Sequence, residues 1–123
     1  MKLTVHTDGM QGYKARALAR AARLDRNEKL TPEIAITFED PISMAEVLTV
    51  QRLRLVRQVQ EQSSSISDLA RRLRRDPAAV RKDVNKLESV GMVRTEERVN
   101  PGHGRVKFVL PAARELRLIA VLS

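Results

Sequence analysis

The chain contains no cysteine and no tryptophan, and its only aromatic residues are Tyr13, Phe38 and Phe108. Without cysteine it can form no disulfide, no thiolate zinc site and no cysteine nucleophile. Three aromatics are too few for an aromatic ligand cage or for a platform that stacks the bases of a single strand. No apolar run approaches the ~20 residues of a membrane span. The start, Met1-Lys2-Leu3-Thr4-Val5, lacks the apolar stretch of a signal peptide. These absences predict a soluble, cytoplasmic protein with no membrane partner. The phosphate-cradling glycine loop, the nucleophile elbow and the zinc-protease helix motif are also missing. The two histidines, His6 and His103, stand far apart with no clustered carboxylates beside them. No enzymatic activity, metal or cofactor is expected.

What the sequence does have is positive charge. Of 123 residues, 23 are Lys or Arg and 15 are Asp or Glu, a formal charge of +8. The excess is uneven. Residues 1–40 carry seven basic and six acidic groups, residues 41–110 fourteen and eight, and residues 111–123 two and one. A localised positive field suits a polyanion, because neutralising phosphates releases condensed counterions. A solvated basic face kept for solubility is the plainer reading, and the order of elements decides between them.

Residues 2–6 alternate weakly and read as a strand broken by Gly9 and Gly12. Residues 11–28, rich in Ala, Arg and Leu, read as a helix. Tyr13, Ala17, Ala21 and Leu24 share one of its faces, and Arg16, Arg20 and Arg23 share another, read as solvated surface. Residues 33–39 read as a second strand. Asp40-Pro41 then opens a helical segment to about Leu48, and Thr49 caps the next, about 50–62, with Leu53, Leu55, Val56 and Val59 as its apolar positions.

Residues 65–110 carry the functional signal. Ser67 is placed as the cap of a short helix, Asp68 to about Arg75, with Leu69, Ala70 and Leu73 inward and Ile66 just before. Asp76-Pro77 opens another helix, whose Val80, Val84 and Leu87 form one apolar face and which ends near Val90-Gly91. Two helices meeting across a tight turn are a helix-turn-helix, the second helix being the reader. Residues 92–95 and 105–109 read as strands around the turn Asn100-Pro101-Gly102-His103-Gly104, which makes a wing.

The segments from Ser65 to Leu73 and from Val80 to Val93, with the ending Leu87-Glu88-Ser89-Val90-Gly91-Met92-Val93, resemble the reader region of MarR-like and ArsR-like winged-helix regulators. The longer span from Phe38 to the wing is similar to small predicted transcriptional regulators that often occur as antitoxins of toxin–antitoxin loci. The resemblance implies double-stranded operator DNA as partner, a homodimer, a repressor that can autoregulate its operon, and alternatively a cognate toxin bound by direct protein contact.

The reading that results is an α+β chain. An N-terminal β-α-β extension occupies residues 1–40 and serves dimerisation or partner binding. A winged helix-turn-helix occupies residues 41–110. A segment of residues 111–123 packs on the extension or on a second subunit. Within that segment, residues 115–122 read as strand or short helix. On the reader helix, Ala78, Ala79, Arg81, Lys82, Asn85 and Lys86 lie off the apolar face and can meet DNA, the early residues in the major groove. Arg71, Arg72 and Arg75 belong to the densest basic cluster, which also includes Arg74, and are candidates for phosphate. Arg98, His103 and Arg105 are the wing candidates. Asp83 interrupts this basic surface and is expected to pair with a nearby Arg or to select against some bases.

Overall fold

The structure is a computed structural model that describes residues 1–102 and 104–122. Its elements, in order, are β1 (Lys2–His6), α1 (Gly9–Asp25), β2 (Glu33–Thr37), α2 (Pro41–Val47), α3 (Val50–Glu61), β3 (Ser64–Ser65), α4 (Ile66–Leu73), α5 (Pro77–Ser89), β4 (Val93–Asn100), β5 (Gly104–Pro111) and β6 (Glu115–Ile119). They form two compact units, one of residues 1–46 with 113–123 and one of residues 47–112.

The first unit is a parallel sheet in the order β2-β1-β6. The register sets Leu3 beside Ile34 and Leu116, and Val5 beside Ile36 and Leu118. Because side chains alternate along a strand, these six aliphatic residues share one face. The other face carries Thr4 and His6, flanked by Ala35 and Thr37 on one side and Arg117 and Ile119 on the other. Residues 115–119, a strand or a helix on sequence alone, are a strand beside β1. The carbonyl of Ile119 and the amide of Val121 both bond the Thr7 hydroxyl.

The helix expected at residues 11–28 starts earlier, at Gly9, and ends at Asp25. Gly9 opens it at φ +62, with its amide on the Phe38 carbonyl. An alanine there would press its Cβ against Glu39. Gly12 lies inside α1, under the Asp8 carboxylate, so neither glycine is a simple strand breaker. Of the arginine stripe on α1 only Arg16 is half-buried and turned to the polar face of the sheet, while Arg20 and Arg23 are exposed, as read from the sequence. Arg16 donates to Thr37 Oγ1 at 2.8 Å and pairs with Asp8. Arg20 and Arg23 line the same cleft as His6 and Ala35, while Tyr13 and Leu24 stay largely exposed.

The second unit packs α3, α4 and α5 around Leu55, Val56, Val59, Ile66, Leu69, Ala70, Val80, Val84 and Leu87. Met92, Val93 and Val109 close this core from the β-ribbon side. On α3, Leu55 is fully buried and Leu53 only half-buried. Truncating a core residue such as Leu87 to alanine costs about 2–5 kcal/mol. The sheet order is β3-β5-β4, antiparallel throughout. Ser64 and Ser65 pair with Val109 and Phe108, so the chain leaves β3 directly into α4. The cap of α4 is therefore Ser65, two residues before the Ser67 expected from sequence: its side chain accepts from the Asp68 amide at 3.2 Å. Thr49 caps α3 and Asp76 caps α5 as expected.

Candidate nucleic-acid interface

Helices α4 and α5 meet across Arg74-Arg75-Asp76. Helix α4 closes in a Schellman arrangement, with the Arg75 amide on the Ala70 carbonyl and the Arg74 amide on the Arg71 carbonyl. Its left-handed position is held by Arg74, at φ +54. Helix α5 ends in the same way, Met92 bonding Leu87 and Gly91 bonding Glu88, but there the left-handed residue is a glycine, Gly91 at φ +87.

Helix α5 is anchored by Val80, Asp83, Val84 and Leu87, at i, i+3, i+4 and i+7 on its buried side. Asp83 belongs to this anchor and is withdrawn from the outer surface. Its side chain is only 12% exposed and accepts from Arg52 Nε at 3.0 Å and from Arg75 Nη2 at 2.8 Å. One carboxylate thus ties α5 to α3 and to the turn. Arg52 also donates to the Val47 carbonyl. The outward side of α5 presents Ala78, Arg81, Lys82, Asn85 and Lys86, all exposed, with Ala79 half-buried beside them.

The arginine cluster divides by task. Arg72 is half-buried and donates to the carbonyls of Gln58 and Gln62 and to Ser64 Oγ, so it closes the end of α3. Arg75 is held by Asp83. Both guanidinium groups, expected from the sequence to reach phosphate, are bonded inside the unit. Arg71 is exposed, with Asp68 at 3.2 Å. Arg74, left out of the sequence-based set, is exposed at the turn. Sequence holds one sign of the difference between neighbours: only Arg74 stands where a helix end asks for glycine. Asp83 was similarly legible as a carboxylate in step with Val80 and Leu87.

The wing is a hairpin of eight facing pairs, Val93–Pro111 to Asn100–Gly104. Of its three arginines, Arg94 and Arg98 lie on one face and Arg105 on the other. Arg98 stacks on Phe108, 3.8 Å from the ring centre, and bonds Glu96 at 2.6 Å. Arg105 shares a face with Lys107 and approaches Glu97 at 3.3 Å. Lys107 reaches back to α5, donating to Asn85 Oδ1 at 2.9 Å, with Glu88 4.0 Å away. Thr95 also bonds Glu88. The wing base and the second half of α5 are therefore cross-linked. His103, the expected wing-tip contact, lies outside the described residues. Among the described residues no group of three metal-ligating side chains converges, and no helix is long and apolar enough to cross a membrane.

A three-helix unit whose second and third helices form a tight turn, followed at once by a β-hairpin, is a winged helix-turn-helix. The chain belongs to the HVO_A0114 family, whose model matches residues 47–115. No curated protein matches it. Several solved structures are similar, among them three that follow. A possible transcriptional regulator from Methanosarcina mazei Go1 is 16% identical over 58% of this chain and 68% of its own, with a TM-score of 0.49. The homodimeric winged helix-turn-helix DNA-binding domain of Mb0332 from Mycobacterium bovis, a possible ArsR-family regulator, is 15% identical over 81% and 70%, with a TM-score of 0.49. An apo mutant of Lactococcus lactis ZitR is 26% identical over 57% of this chain, with a TM-score of 0.46; the chain spans 52% of that protein.

Proposed function

We propose that the chain is a transcriptional regulator that binds double-stranded operator DNA as a homodimer and represses by occupying it. The observation that supports this best is the two-sidedness of α5. Its inner side is pinned by three apolar residues and the doubly bonded Asp83, while its outer side offers Ala78, Arg81, Lys82, Asn85 and Lys86 to a groove. Arg81 and Lys82 suit guanine O6/N7, Asn85 suits adenine, and Ala78 suits a thymine methyl. To the exposed Arg71, Arg74 and Arg105 the proposal assigns phosphates, which set register without reading sequence.

The test is binding to duplex DNA from the chain's own upstream region, against random duplex, across a salt series. Preference for the upstream duplex that persists near physiological salt supports the reading. Equal, weak binding that collapses with salt leaves only a basic surface. Replacing Arg81 and Lys82 together by alanine should abolish the preference with the fold intact. If that variant keeps the parent's preference, α5 is not the reader.

A further inference from the structure

We propose that the outer edge of β6 is the surface on which a second copy of this chain docks, strand against strand across a two-fold axis. The inference deepens the homodimer of the proposed function by giving it an interface. Strand β1 is paired on both sides, and among the described residues no strand covers the outer edge of β6 or of β2. Of these two edges, β2 is preceded by Pro32, a residue that blunts edge pairing, and carries Glu33 with no cation. Strand β6, Glu115-Leu116-Arg117-Leu118-Ile119, has neither proline nor glycine. Leu118 and Ile119 are each 44% exposed, and the following Val121 and Leu122 are 64% and 82% exposed.

The sequence of β6 is complementary to its own reverse in one register. A two-fold that pairs two copies of a strand runs normal to the sheet and keeps each face continuous. Opposed residues then come from the same face, so Leu116, Arg117 or Leu118 can lie on the axis. With Arg117 on the axis, two like charges face each other, which is destabilising. With Leu118 on the axis, Arg117 faces Ile119. With Leu116 on the axis, Glu115 faces the partner's Arg117 and Arg117 faces the partner's Glu115. Two ion pairs then flank a leucine pair over residues 115–117, and Leu118 faces the partner's Arg114 at the margin of the contact. Within one chain Arg117 Nε already donates to Glu115 Oε1 at 3.0 Å, so the dimer would assemble a four-charge cluster from groups already oriented along the strand. The result is a six-stranded sheet in which the aliphatic face formed by Leu3, Val5, Ile34, Ile36, Leu116 and Leu118 runs through both copies. It is an isologous contact, closed at two subunits.

The test is sedimentation equilibrium of the full chain without DNA, so that a failure to bind DNA cannot be mistaken for a failure of the interface. The parent should be a dimer. Arg117→Glu should set like charges opposite each other twice and weaken dimerisation roughly tenfold or more, with an unchanged circular dichroism spectrum. Adding Glu115→Arg to it should restore the dimer. The chain has no cysteine, so Leu116→Cys gives a clean reporter should Arg117→Glu fail to fold. Opposed residues of antiparallel strands lie about 4.5–5.5 Å apart, a span a disulfide bridges, and the oxidised variant should run as a covalent dimer. A parent that stays monomeric at its highest soluble concentration overturns the proposal and leaves the edge to a different protein. So does a dimer that neither responds to Arg117→Glu nor cross-links through residue 116.

Discussion

Arg74 holds a backbone conformation that L-residues other than glycine avoid, at φ +54 and ψ 47. The equivalent position after α5 is filled by Gly91. A side chain kept against that preference at the tip of a reader turn points to a contact worth the strain. Arg74→Gly should therefore move two measurements in opposite directions. Stability should rise by up to about 1 kcal/mol, the left-handed penalty less the extra chain entropy of glycine. DNA affinity should fall evenly across sequences, and the salt dependence should lose about 0.9 in slope per copy. A variant that melts higher and binds as before would exclude Arg74 from the interface. A second residue-scale effect concerns His6. Burial, helped by the Arg16 charge, holds its pKa below the ordinary 6.5, while Asp8 and Glu33 pull the other way. A base whose pKa drops on folding takes its proton more readily when unfolded. Its contribution is complete above 6.5 and shrinks as pH falls from there toward the folded value. Thermal melts should lose stability between pH 7.5 and pH 5 more steeply in the parent than in His6→Gln. Asp8, lowered by its bond from Arg16, and Asp40, lowered by the Ser43 amide, add the same sign of change only in acid below 3.8.

At the scale of the element, α5 depends on one carboxylate. Taking Asp83 away leaves Arg52 and Arg75 as poorly compensated, largely buried cations, and breaking such a pair costs about 3–5 kcal/mol. Asp83→Ala should unfold at correspondingly lower denaturant. A double-mutant cycle with Arg75→Ala should return a coupling above the roughly 1 kcal/mol ceiling of exposed pairs. A smaller coupling would mean that the pair is solvent-screened and that Val80, Val84 and Leu87 alone seat the helix. How far this was legible follows from range. The caps at Thr49 and Asp76 and the apolar period of α5 are local patterns, and they stand in the structure as read. Ser65 and Ser67 are chemically alike, and the choice between them was made by Phe108, a strand partner about forty residues on. The inward turn of Arg16, alone among the α1 arginines, was decided by Thr37 and Asp8, which satisfy its guanidinium. The place of β6 beside β1 joins the two ends of the chain. No periodicity within a segment carries information of that range. The internal bonds of Arg72 and Arg75 were illegible for a related reason: a run of arginines looks uniform until carbonyls and carboxylates from other elements select among them.

For the whole molecule, the two proposals meet in one number, the salt slope. If each subunit places about four cations on phosphates, Arg71, Arg74, Lys86 and Arg105 being the exposed choices, a dimer neutralises about eight. The logarithm of the binding constant should then fall with the logarithm of salt at a slope of about −7. A monomer on a half-site should show about half that. Linking two readers also makes the second contact intramolecular, so a two-fold operator gains far more from the dimer than a half-site does. Arg117→Glu lies in β6 and leaves every reader residue in place, so it separates these contributions. Its binding should lose the preference for the two-fold site over the half-site, the slope should drop toward half, and half-site affinity should stay near that of one parent subunit. A full slope and an intact two-fold preference in this variant would show that the readers are joined elsewhere in the chain. A half slope already present in the parent would show that a single reader does the work, and the basic face of α5 would then have to supply operator preference alone.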